Sequence, residues 1–169
     1  MRQRILAGCV FLAGCSSSGH DPTSPGTPLG TYEVRAKRLS DSCGEAPAVW
    51  DFTVKLSKDT AKLYWVQGGT PVEARISSKG SYEFVSEDTR VVREADKVRE
   101  LGACILSRAD FASLELATDE KSFSGELRYD FTPGAAADCR DQIAEFGGAF
   151  QALPCSQKFS LDATRSTAK

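Results

Sequence analysis

Phe123-Ser124-Gly125-Glu126-Leu127-Arg128-Tyr129-Asp130-Phe131 is the stretch that decides the fold. Phe123, Leu127, Tyr129 and Phe131, with Gly125 among them, take every second place; Ser124, Glu126, Arg128 and Asp130 take the places between. Successive side chains of a strand point to opposite faces, so this run has one apolar and one polar face. The same period extends in both directions. Tyr32, Val34 and Ala36 alternate with Glu33, Arg35 and Lys37, and Trp50, Phe52, Val54 and Leu56 with Asp51, Thr53 and Lys55. Ala61, Leu63 and Trp65 follow the turn Ser57-Lys58-Asp59-Thr60, and Val72, Ala74 and Ile76 follow Gly68-Gly69. Tyr82 and Phe84 come after Lys79-Gly80, Val91 and Val92 sit in a short, more polar strand, and Phe159, Leu161 and Ala163 form a last strand ending at Arg165. Residues 103–107 and 111–116 read as two strands or one bent strand broken near Ala109-Asp110.

These one-sided strands predict an all-β domain: an antiparallel up-and-down meander closing into a barrel of about eight strands. A β-sandwich or open barrel is the alternative arrangement. One segment departs, with Cys139, Ile143 and Phe146 at helical spacing and Gly147 placed to stop them. That predicts a short helix or loop near 138–147. Gly125 inside an aromatic strand marks a bulge, a sharp bend or the close approach of a ligand.

The N-terminus has a different logic. Arg2 and Arg4 precede the uncharged run Ile5 to Gly14, and small residues lead into Cys15. This is the order of a secretory signal. Ten apolar residues fall short of the roughly 20 a membrane-spanning helix needs. Leu12-Ala13-Gly14-Cys15 resembles the lipobox of bacterial lipoproteins. The resemblance implies cleavage after Gly14, a diacylglycerol on the Cys15 thiol and acylation of its new amino group. Leu6-Ala7-Gly8-Cys9 matches too, but only Ile5 separates it from the basic residues, so Cys15 is preferred. Ser16, where inner-membrane lipoproteins tend to carry Asp, implies an outer-membrane destination. The expected organisation is a signal peptide at 1–14, a lipidated Cys and flexible tether at 15–29, a barrel domain at 30–165 and a disordered C-terminus at 166–169. The tether is polar and rich in Ser, Gly and Pro, and it holds the only histidine, His20.

Without its leader the chain has 155 residues, a single domain's length, and loss of Arg2 and Arg4 takes the formal charge from −2 to −4. Mild acidity without a basic block argues against a nucleic-acid partner. Cys43, Cys104, Cys139 and Cys155 form an even set in an exported chain and read as two disulfides. Four cysteines allow three connectivities. Proximity favours Cys139–Cys155, and Cys43–Cys104 follows by exclusion. A zinc site lacks both a Cys-x-x-Cys pair and a histidine in the domain.

Gly30-Thr31-Tyr32 at the start of the first strand is similar to the Gly-x-Trp opening of lipocalins, within the calycin group that includes avidin-like barrels. In lipocalins that Trp packs at the closed end of the barrel against an Arg near the last strand. Tyr32 stands in its place here, with Arg165 ending the last strand. The resemblance implies a barrel that holds a small ligand.

No histidine follows position 20, so Ser-His-Asp and Cys-His arrangements cannot be built. The zinc-protease pattern and a phosphate-binding glycine loop are also missing. Glu83, Glu115 and Glu126 read as solvent-face residues. The expectation is a non-enzymatic protein with no cofactor or metal. Its inward aromatics, Trp50, Phe52, Trp65, Tyr82, Phe84, Phe123, Tyr129 and Phe131, fill the core or line a pocket for a small apolar ligand. The other expectation is a solid-cored structural or interaction lipoprotein that contacts an envelope protein. An inhibitor of an exported enzyme belongs to that class, with Phe150 beside Gly147-Gly148 as its loop tip.

Overall fold

Alternation of apolar and polar residues is realised as strand pairing. The computed structural model describes residues 25–44, 46–60, 62–66, 70–78 and 80–167. The signal segment 1–14, Cys15, His20, Ala61 and Gly68-Gly69 lie outside the described residues. The described strands are β1 (Thr27–Asp41), β2 (Val49–Asp59), β3 (Lys62–Val66), β4 (Val72–Glu73), β5 (Arg75–Ile76), β6 (Tyr82–Arg93), β7 (Cys104–Leu116), β8 (Ser122–Pro133) and β9 (Cys155–Arg165). They form one antiparallel sheet in the order β4-β3-β2-β1-β9-β8-β7-β6-β5.

The two edges of that sheet belong to one short run of chain. β4 pairs with β3 through Tyr64–Glu73 and Trp65–Val72. Just past Ala74, β5 pairs with β6 through Arg75–Glu83 and Ile76–Tyr82. The meander therefore wraps nearly into a closed barrel with eight strand positions, and its thinnest seam is at 72–76. The all-β, up-and-down expectation holds.

Inward positions make the core. Tyr32, Leu63, Leu114, Phe159 and Leu161 are at most 1% exposed. Cross-strand neighbours share a face, as in Val54–Tyr32 and Leu127–Phe159, so each apolar side chain meets another. Burying each large side chain contributes about 1.5–3 kcal/mol.

Several boundaries differ from expectation. β1 begins at Thr27, inside the expected tether, because Thr27 and Pro28 pair with Lys58 and Ser57 and Leu29 packs on the core. At the other end Ser166 is fixed: its amide donates to the Thr31 carbonyl at 2.7 Å and its hydroxyl to Glu33 at 3.1 Å. Tyr82, Phe84, Val91 and Val92 lie on one strand, and 104–116 is also one strand. Polar residues 86–90 hide the continuity of β6 because both its faces meet water there. The segment near 138–147 holds two single-turn 3₁₀ helices, Arg140–Gln142 and Ala144–Phe146. Gly147 stops the second at φ 88°, as its position implies, but Phe146 faces solvent at 62% exposure.

The disulfides are Cys43–Cys155 and Cys104–Cys139, which corrects the pairing expected from proximity. Sheet register explains both. The end of β1 pairs with the start of β9 (Asp41–Gln157), and the Ser42 amide donates to the Ser156 carbonyl, so Cys43 arrives beside Cys155. After β8 the chain runs back along the start of β7. There the Gly134 amide donates to the Ile105 carbonyl and the Asp138 amide to the Ala103 carbonyl, which sets Cys139 against Cys104.

Candidate functional site

Sequence alone placed eight aromatics inside; the structure divides them among the floor, the mouth and the margin of the core. At one end the floor is closed. Tyr32 is fully buried, its ring centroid lies 5.4 Å from that of Phe123, and its hydroxyl donates to the Glu120 carbonyl at 2.6 Å. Arg165 lies opposite Tyr32 in register, crosses Gly30, and donates from Nη1 to the Leu29 carbonyl at 3.2 Å. A Cβ on Gly30 would lie 2.9 Å from the Arg165 Cδ, so the crossing depends on glycine.

The other end is a mouth. Trp65, Phe84 and Tyr129 line a cavity of about 280 Å³ together with Val72, Leu127 and Ala112; Thr70, Ser86 and Asp110 supply its polar edge. Each inward residue has its place from the pairing: Trp65 opposite Val72, Phe84 opposite Ala112, and Ser86 opposite Asp110. Trp65 and Phe84 hold centroids 5.7 Å apart, a tilted aromatic contact. Trp50 and Phe52 stack at 4.6 Å on β2, half-buried against the core. Phe123 belongs to the floor. Tyr82 and Phe131 pack at the edge of the core. Phe150, expected as an exposed tip, instead packs on Phe131 at 5.3 Å.

A charged pair sits on the cavity's edge. Arg108 donates to both carboxylate oxygens of Asp110, at 2.7 and 2.9 Å, and its guanidinium lies 4.2 Å from the Tyr129 ring centre. Burial pushes the Tyr129 phenol up to about 12, with the Arg108 charge opposing. Tyr129 is therefore protonated at neutral pH and offers a hydrogen bond rather than a base. Among the described residues no group of three or more His, Cys, Asp or Glu side chains is arranged to hold a metal ion.

Arg108, Asp110 and Ser86 were not legible as site residues. Their parity with Ala112, Leu114 and Phe84 was the available signal, but a charged inward residue at a barrel rim reads like an outward one. A broader depression of about 980 Å³ lies on the outer faces of β2, β1, β9, β8 and β7, among Asp51, Arg35, Asp162, Ser124 and Glu115. It is larger, but its charged side chains are exposed surface residues on the barrel's outside. The mouth cavity, with aromatic walls and converging polar groups, is the better site.

The chain matches no protein-family model, and searches of the curated proteins and of the solved structures find no match.

Proposed function

We propose that this chain is an exported, lipid-anchored binding protein whose barrel mouth holds one small apolar group, without catalysis. The mouth cavity carries this reading: three aromatics wall a space edged by Ser86, Asp110 and Tyr129. Its volume of about 280 Å³ falls just below the roughly 300–1,000 Å³ of drug-sized ligand pockets. The occupant is accordingly a compact apolar body with one polar end, not a long-chain lipid. Packing of Arg165 across Gly30 beside Tyr32 fits the lipocalin-like resemblance. In this reading Cys15 bears the anchor and Ser16 directs the protein to the outer membrane. Two disulfides suit an oxidising compartment.

Native mass spectrometry of the full chain carrying Cys15→Ala tests the binding step. The expected result is a small molecule retained in the folded protein, released on denaturation, and lost in an Ala112→Phe variant that fills the cavity. A clean mass, together with Trp fluorescence that does not respond to small aromatic probes, would overturn it. A protein-binding reading is favoured by a different observation: Phe146 and Val98 stand 62% and 94% exposed beyond the mouth. If that surface carries the function, Phe146→Ser abolishes capture of an envelope protein while the cavity stays empty.

A further inference from the structure

β6 has a free edge. It pairs with β7 along its whole length, but with β5 only at Tyr82 and Glu83. From Phe84 to Arg93 no described strand pairs with its other side, although β4 approaches the base of this stretch across the seam. Register across the sheet places this edge. The row from Val49, the first residue of β2, runs through Lys37, Ser160, Glu126 and Ser113 to Glu83. The row from Cys155, the first residue of β9, runs through Phe131 and Arg108 to Asp88. Beyond Glu83, then, β6 rises past the end of β2, and beyond Asp88 it rises past β9 as well. Its upper part stands clear of the barrel, and among the described residues no strand pairs with this side of its backbone; such an edge templates another strand. Val85, Val91, Val92 and Ile105 around it are 38–52% exposed.

We propose that this edge pairs antiparallel with the same edge of a second copy, about a two-fold axis through Thr89. In such a pair, residues equally spaced either side of the axis face each other. An axis through Asp88 would set Asp88 against Asp88, and one through Arg90 would set Arg90 against Arg90. Like charges directly opposite are destabilising. An axis through Glu87 fails for the same reason. Through Thr89, Asp88 faces Arg90 twice, the neutral Thr89 faces itself, Glu87 faces Val91, and Ser86 faces Val92. Asp88 and Arg90 are 55% and 80% exposed and lie 2.5 Å apart within one copy, so both are free to exchange that contact for the cross-strand one. Arg93, held by Asp141 at 2.7 Å, ends the usable edge. The contact is thus the seven residues Ser86–Val92 of each copy, its register fixed by charge.

Sedimentation equilibrium of the full chain tests this. The wild type is expected to show a monomer–dimer equilibrium. Asp88→Arg and Arg90→Asp each put like charges opposite one another twice and are expected to weaken the dimer about tenfold or more. An equimolar mixture of the two variants regains association, because each variant's uniform charge then faces its opposite. Thr89→Cys is expected to cross-link two copies, since Cα atoms of directly opposed residues lie about 4.5–5.5 Å apart, within disulfide range. Val85→Cys, on the same strand but away from the axis, does not cross-link. A wild type that stays monomeric at every concentration, or a dimer unchanged by both charge variants, overturns the proposal.

Discussion

At Gly125 a single methyl group decides whether β7 and β8 can lie together. The register runs without a bulge through Ser124–Glu115, Gly125–Leu114 and Glu126–Ser113. Yet a Cβ on Gly125 would stand 2.0 Å from the Ser113 carbonyl oxygen and 3.0 Å from the Leu114 Cδ2. The first obstacle is backbone and cannot rotate away, so what the glycine admits here is the backbone of the neighbouring strand. Gly125→Ala is expected to lower stability by about 2–4 kcal/mol, the cost of overpacking that forces backbone shifts. Urea unfolding should show this as a lower midpoint at an unchanged slope. Tyr129 acts through its proton. Burial raises its folded pKa from 10.0 to about 12. Between those values the unfolded chain has lost a proton the folded chain keeps, so stability is whole below pH 10 and falls as pH rises toward 12. Tyr129→Phe should flatten that alkaline loss and remove a late-titrating phenol from absorbance at about 295 nm. An unchanged alkaline slope would show that the ring is not the buried group that titrates there.

Among the connecting elements, the turn after β1 is held by one carboxylate. Asp41 accepts from the Cys43 and Gly44 amides through Oδ1, at 2.9 and 3.0 Å, and from the Ala46 amide through Oδ2 at 2.9 Å. Its side chain is 7% exposed. Burial pushes its pKa upward, but the backbone donors from Ala46, Gly44 and Cys43 outweigh that and hold it below 3.8. Three charge-assisted hydrogen bonds thus fix the residue that carries Cys43 to Cys155. Because the folded pKa is depressed, this contribution is complete above the usual carboxylate range and is lost as pH falls through the folded value. Asp41→Asn is expected to cost about 1–3 kcal/mol at neutral pH and almost nothing once the wild-type carboxyl is protonated. Thermal melts of both chains from pH 7 to pH 2 should converge at the acid end, and parallel curves would count against the carboxylate. On the opposite side, Arg93 clamps the 3₁₀ segment. It donates to both Asp141 oxygens at 2.7 and 3.2 Å, to the Gly102 carbonyl at 2.6 Å and to the Asp138 carbonyl at 2.7 Å. Helical spacing of Cys139, Ile143 and Phe146 suggested a short helix or a loop there. The segment is fixed by Arg93 and Cys104, residues from β6 and β7 that local periodicity does not contain.

For the whole molecule, strand period carried the fold because each strand has one buried face, and burial is local information. The ring of pairings that joins β9 to β1 is not local, and the disulfide partners follow from it; proximity in sequence therefore chose the wrong ones. The mouth was half legible. Trp65, Phe84 and Tyr129 announced themselves by alternation, whereas Arg108 and Asp110 share their inward parity but carry charge. The same architecture makes the covalent links decisive. The barrel's seam at 72–76 rests on two register pairs on each side. Cys43–Cys155 spans a separation of 112 residues and Cys104–Cys139 one of 35. In the loop-entropy model these closures contribute about 5 and about 4 kcal/mol. Together they rival the whole stability of a domain, about 5–15 kcal/mol. Each kcal/mol moves the midpoint of a domain this size by about 2–4 °C, so full reduction is expected to lower Tm by about 20 °C or more. Of the single-bridge variants, Cys43→Ala/Cys155→Ala should lose more than Cys104→Ala/Cys139→Ala. Circular dichroism melts with and without a phosphine reductant would measure both effects. A reduced chain that melts within a few degrees of the oxidised one would mean that strand pairing and core packing alone hold the barrel shut.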